Sequence, residues 1–263
     1  MAKHDYHMHP QLLTKPGDWA DMFVRKAISE GIEEICFTDH MPLSMSDQKD
    51  RIPRGRVAEY YAKATEYADK YKDEIRIKIG IEVDYHPDYI DEIEAVLQAG
   101  KFDYILGSSH LQLPGYGLRL SDMAGDEFVG MMLKNILGSV RSGYFDAVAH
   151  IDFYRWILAN EERFALGTRD YDYAKHRDTI EEILDEIKKR DMVLEVNTHR
   201  MAGIGGLENV YPCRETLELS LLKGVKYRFG SDAHVPQDVG FGWNELKQDP
   251  FYGIVLGQAE HQW

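Results

Sequence analysis

Asp5-Tyr6-His7-Met8-His9-Pro10 is the stretch from which the fold can be read. Side chains alternate faces along an extended strand, so His7 and His9 point the same way and can grip one ion together. The 11 histidines of this 263-residue chain would supply about 0.5 His-x-His pairs by chance. The pair therefore acquires meaning only if other strands end in the same kind of residue, and working outward along the chain they do. Residues 34–37 read as a buried strand that delivers Thr38-Asp39-His40. Residues 76–83 form a strand ending in Gly80-Ile81-Glu82-Val83-Asp84, residues 103–107 lead into Ser108-Ser109-His110, and residues 145–149 exit at His150-Ile151-Asp152. Residues 192–196 lead into Asn197-Thr198-His199-Arg200, and residues 226–229 end in Gly230-Ser231-Asp232-Ala233-His234.

Helical periodicity fills the intervals. Asp18 stands where an N-cap belongs, before a helix that Gly31 ends. Further helices are predicted over 57–71, 88–98, 126–141, 173–190 and 213–223. Segments 44–56, 111–121 and 160–172 read as loops, the second long enough to cover a site, and Gly203, Gly205 and Gly206 mark a glycine-rich loop. Strand and helix thus alternate seven times, the pattern of parallel βα units. No linker interrupts it, so residues 1–263 read as one domain. An α/β fold, a closed or distorted β/α barrel of seven units, is expected rather than an open doubly wound sheet. The chemically capable residues sit at all seven strand ends, whereas an open sheet would gather them at one switch point.

In such a barrel the strand exits converge on one face, where His7, His9, Asp39, His40, Glu82, His110, His150, Asn197, His199, Asp232 and His234 would share a bowl. Singly, each has an ordinary explanation: a histidine at a strand end is often only hydrogen-bonded, and Asp39 and Asp152 would serve as helix caps. Seven strand ends together do not reduce to accidents. Imidazole nitrogens and carboxylate oxygens without cysteine suit Zn, Mn or Fe, and a donor set this large implies two or three divalent ions. His4, His86, His176 and His261 are left as structural or surface residues.

Composition sets the outer limits. Lys and Arg number 31 against 45 Asp and Glu, a net charge of −14, which argues against binding nucleic acid backbones. A small phosphate ester remains an admissible partner if metal ions or arginines reverse the local sign. No apolar run approaches the length needed to span a bilayer and the N-terminus lacks a signal-peptide core, so no membrane partner and a cytoplasmic location are expected. Cys36 and Cys213 read as free, buried thiols rather than a disulfide or thiolate site. A homo-oligomer is neither indicated nor opposed by the sequence.

His7-Met8-His9, Thr38-Asp39-His40, Gly80-Ile81-Glu82, Gly107-Ser108-Ser109-His110, Ala149-His150-Ile151-Asp152, Glu195-Val196-Asn197-Thr198 and Gly230-Ser231-Asp232-Ala233-His234 resemble, in order and spacing, the polymerase and histidinol phosphatase (PHP) superfamily. The segment Pro236-Gln237-Asp238-Val239-Gly240 adds a likeness to its histidinol-phosphate phosphatases. The resemblance implies a distorted (β/α)7, TIM-like barrel and a metal-dependent phosphomonoesterase of histidine biosynthesis, with in-line attack on phosphorus by a hydroxide that bridges metals. It implies that His7, His9, Glu82 and Asp232 hold one metal, that Glu82 bridges to a second held by His110 and His150, and that His40 and His234 hold a third. Arg155 and Arg200 resemble the arginines that grip phosphate, with Asn197 and His199 beside the substrate. Asp39, His234 or a metal-bound water would protonate the leaving group. The family places another histidine soon after His-x-His, in a Pro-His-Gly element; residues 11–17 here run Gln-Leu-Leu-Thr-Lys-Pro-Gly, and His199 is a substitute ligand, a substrate contact or a loop histidine near solvent. Two other readings share the motifs: a PHP phosphoesterase for a sugar phosphate or nucleotide, and a metal-binding module without activity.

Overall fold

A computed structural model describes residues 3–44, 49–111, 113, 116–160 and 170–261. Seven strands, β1 (Lys3–Asp5), β2 (Ile32–Phe37), β3 (Arg76–Asp84), β4 (Tyr104–Ser108), β5 (Ala147–Val148), β6 (Val193–Asn197) and β7 (Lys226–Gly230), follow one another in space as in sequence. Every neighbouring pair is parallel. The ring is drawn shut beyond β1, where Tyr6 N donates to Phe229 O (3.0 Å), Asp232 N to His7 O (2.7 Å) and His9 N to Ala233 O (2.8 Å). This is the expected barrel. His7 and His9 lie just past β1 rather than in it, yet the extended course continues and Met8, between them, is fully buried in the apolar core.

Helices α1 (Trp19–Ser29), α2 (Val57–Tyr71), α3 (Ile90–Gln98), α4 (Gly125–Ser142), α6 (Tyr173–Lys189) and α8 (Arg214–Lys223) wrap the sheet close to their predicted bounds. Their apolar stripes explain the fit: α6 buries Ile180, Ile183, Leu184 and Ile187, one face of a 3.6-residue repeat. Asp18 holds the N-cap position of α1 without a side-chain cap bond.

Four helices depart from the sequence reading. Short α5 (Tyr154–Asn160) follows β5 immediately, and α7 (His199–Ile204) occupies what glycine content marks as loop. Each is too short for a periodic pattern to declare itself. Past residue 240, α9 (Trp243–Gln248) and α10 (Pro250–His261) pack on β7, burying Trp243, Leu246, Val255 and Leu256. Strand β5 is shorter than expected, though Asp146 N and Ala149 N bond to Ile105 O and Gly107 O on either side of it. Parts of the three predicted loops, residues 45–48, 112, 114–115 and 161–169, lie outside the described residues. Among the described residues both cysteines are free, Cys36 buried and Cys213 half-buried, and no helix is long and apolar enough to cross a membrane.

Candidate metal centre

At the strand exits a bowl of about 200 Å³ opens, its wall including His40, His110, His150, His199, Asp232 and His234. His7, His9 and Glu82 form its floor, exposed by 1 % or less. The floor has a definite geometry. His7 Nε2 lies 3.0 Å from His9 Nε2, His9 Nε2 3.1 Å from Asp232 Oδ1, and His7 Nε2 3.4 Å from Asp232 Oδ1. Glu82 Oε2 stands 3.4 Å from His7 Nε2 and 3.5 Å from His9 Nε2. Ligands about 2.1 Å from a tetrahedral zinc ion are separated by about 3.4 Å, so these separations of 3.0–3.5 Å are of the size that ligands of one ion show.

Hydrogen bonding tells the same story. Glu82 Oε2 and His40 Nδ1 approach to 2.7 Å, yet both are buried without a hydrogen bond of acceptable geometry. Such orphans are costly in a folded interior unless something else satisfies them. The other oxygen of Glu82 lies 3.3 Å from His150 Nε2 and 4.0 Å from His110 Nε2. Above the floor the rings of His40 and His234 sit 4.2 and 4.3 Å from that of His9. The candidate metal clusters are therefore His7/His9/Glu82, His40/Glu82/His110, His7/His150/Asp232, His9/His40/His234 and His199/Asp232/His234, each with its donor atoms within 4.8 Å of one another.

A layer beneath aims these rings. Glu195 Oε1 accepts from His7 Nδ1 at 2.6 Å, which leaves the Nε2 lone pair facing the bowl, and Glu195 Oε2 accepts from His150 N at 2.7 Å. Asp84 does the same for His110 Nδ1 and pairs with the Arg51 guanidinium, Nη1 to Oδ2 at 2.6 Å. Carboxylate–histidine couples of this kind fix tautomer and raise ligand basicity. Gly230 makes the arrangement sterically feasible: a Cβ there would come within 2.6 Å of His7 Cβ and still closer to Glu195. Asp232 has a left-handed backbone (φ 53°), uncommon for a non-glycine residue and tolerated best by Asp and Asn.

Burial would favour the neutral forms here, but the carboxylates of Asp232, Glu195 and Glu82 outweigh it and hold the His7 pKa well above its ordinary value. His7, ahead of His199, in turn holds the Asp232 carboxyl well below the usual range against the same burial. Divalent cations at these donors would offset the same buried negative charge.

Not every residue singled out in the sequence reaches the bowl. Asp39 spends both carboxylate oxygens on backbone N–H groups, Gln11 at 2.8 Å and Leu12 at 2.9 Å, and burial pushes its pKa up to about 7; it holds a loop. Arg155 is turned away, donating to Asp152 Oδ2, Val210 O and Glu208 O, because α5 faces the 207–211 segment. Asn197 is fully buried and braces Glu195, Asp232 and the backbone N–H of His199. Arg200 does stand on the wall, its guanidinium 3.5 Å from the ring of Trp156, which stacks on Phe153. His234, also on the wall, is about a third exposed (32 %).

The sequence reading passes over Glu195, Asp84, Arg51 and Trp156. For the two acids a signal exists: Glu195 is two residues before Asn197 and Asp84 two after Glu82, the same-face spacing that linked His7 to His9. Arg51 and Trp156 come from irregular or short segments and carry no periodic signal.

Comparison with known proteins agrees with this architecture. The PHP domain model matches residues 5–199. A protein of Deinococcus radiodurans named "Probable histidinol-phosphatase" is 27 % identical over 246 residues, covering 90 % of this chain and 88 % of its own. The histidinol-phosphatase of Bacillus subtilis is 27 % identical over 271 residues, covering 92 % and 97 %. Among solved structures, a histidinol phosphate phosphatase of Lactococcus lactis, complexed with zinc, L-histidinol and phosphate, superposes with a TM-score of 0.73 at 21 % identity, over 95 % of this chain and 94 % of that one.

Proposed function

This chain belongs to the PHP domain family, and from that premise we propose that it is a metal-dependent phosphomonoesterase whose substrate is L-histidinol phosphate. The observation that carries the reading is the buried set His7 Nε2, His9 Nε2, Glu82 Oε2 and Asp232 Oδ1, in which both histidine nitrogens lie 3.0–3.5 Å from each other and from each carboxylate oxygen. These residues would hold one ion, Glu82 Oε1 with His110 and His150 a second, and His40 with His234 a third. Divalent ions in such a set supply an acidified water as nucleophile and positive charge against the phosphoryl oxygens.

The protein's own groups do the rest. Glu195 and Asp84 keep His7 and His110 in the tautomer that offers Nε2. Arg200, its guanidinium over the ring of Trp156, presents N–H donors to a phosphate by charge-assisted hydrogen bonds. With Arg155 engaged elsewhere, Arg200 is the phosphate-binding arginine; Asp39, bound to backbone, and His234, assigned to the third ion, do not protonate the leaving group. Substrate identity is supported by the names of the relatives, which span nearly the full chain.

The test is a panel of phosphomonoesters, L-histidinol phosphate, a sugar phosphate and a nucleoside monophosphate, offered to the protein loaded with Zn or Mn. The expected result is the highest kcat/KM on L-histidinol phosphate. Equal rates across the panel would overturn the substrate, and metal uptake with no hydrolysis at all would leave a metal-binding module.

A further inference from the structure

We propose that His199 is a direct ligand of the ion held at His234, an inference that rests on reading the bowl as a metal centre. Three observations converge on it. His199, Asp232 and His234 bring donor atoms within 4.8 Å of one another, and His234 also belongs to the His9/His40/His234 cluster. His199 and His234 face the same bowl, their ring centroids 5.2 Å apart. Their tautomers are set by a single acceptor: the Asp232 carbonyl oxygen lies 2.9 Å from His199 Nδ1 and 3.0 Å from His234 Nδ1. A carbonyl oxygen only accepts, so both Nδ1 atoms carry hydrogen and both Nε2 atoms carry the lone pair a metal needs.

The sequence builds this pairing. The left-handed turn at Asp232 presents that carbonyl to both rings while its carboxylate goes to His9. Asn197 Oδ1 accepts from His199 N at 2.9 Å and so holds the first turn of α7 against β6. On the other side, the loop at Gln11 and Leu12 is tied down by Asp39 and brings no side chain into the described lining of the bowl. His199 is thus the remaining imidazole beside His234.

Metal binding, independent of turnover, tests this. Chelator-stripped protein is titrated with Zn²⁺ against a chromophoric competitor, in the wild type and in the His199→Ala and His199→Asn variants. Asparagine can still donate to the Asp232 carbonyl but has no imidazole lone pair, so it keeps the structural bond and loses only the ligand. The expected result is three ions per wild-type chain, with the third weakened in both variants by more than the roughly 10–100-fold that loss of an outer partner costs. Two ions in the wild type, or restoration of the third by asparagine, would overturn the assignment. So would three undiminished ions in His199→Ala with a raised KM, which would make His199 a substrate contact. Three ions with no phosphatase activity would instead sink the proposed function and leave this inference standing.

Discussion

Replacing Glu195 with Gln exchanges one atom and should disable the first metal position. Three donors converge on the Glu195 carboxylate: His7 Nδ1 (2.6 Å) on one oxygen, and His150 N (2.7 Å) and Asn197 Nδ2 (3.1 Å) on the other. A carboxylate accepts all three, but an amide turns an NH₂ toward one side. Facing His7, it drives the hydrogen from Nδ1 to Nε2 and removes the lone pair that points at His9 and Asp232. Facing His150, it sets donor against donor in a site that is only 2 % exposed, at a cost of about 1–3 kcal/mol. The first orientation loses zinc affinity directly; an outer-partner loss of roughly 10–100-fold corresponds to about 1.4–2.8 kcal/mol. Competitive zinc titration reads the first outcome and urea denaturation of the metal-free protein the second. If zinc affinity stayed within about twofold of wild type and stability did not change, the couple between Glu195 and His7 would not be what aims the ring.

Other perturbations separate the layers of the site. Glu82→Gln should strip the first two ions together and nearly all turnover, because one carboxylate faces both clusters; full metal content by elemental analysis would refute the bridging role. Arg200→Ala should raise KM for the phosphate ester with metal content unchanged, and Trp156→Ala should reproduce part of that effect, about 0.5–2 kcal/mol, by removing the ring beneath the guanidinium. Asp39→Ala should leave metal stoichiometry intact and lower stability by about 1–3 kcal/mol for each backbone N–H left unpaired, measured by denaturant unfolding.

The barrel was legible because periodicity speaks at the length of these elements: α2 and α4 run long enough to show a stripe, and strand exits recur at His40, His110 and His150. The histidines and Glu82 were legible for the same reason. Arg155 and Arg200 show where sequence stops. Both follow a strand exit by a few residues, but only three-dimensional packing decides that one meets the carbonyls of Glu208 and Val210 and the other the face of Trp156. Asp39 misleads similarly: adjacent to His40, it points to the opposite side, as alternation requires, and finds backbone instead of a leaving group to protonate. Glu195 shares a strand face with Asn197, but the partner that gives it a role, His7, arrives only from the far end of the chain.

That arrival has a consequence for how the protein is made and kept. His9 and Asp232 touch across 223 residues of sequence, at the line where the first and last strands close the ring through Asp232 N to His7 O and His9 N to Ala233 O. The first ion would therefore fasten the seam itself, acting as a rivet where loop-closure entropy is greatest. A nascent chain has no such site until β7 has emerged from the ribosome. A protein deprived of its ions should loosen there first, with the amides of His9 and Asp232 exchanging with solvent ahead of those in β3 and β4.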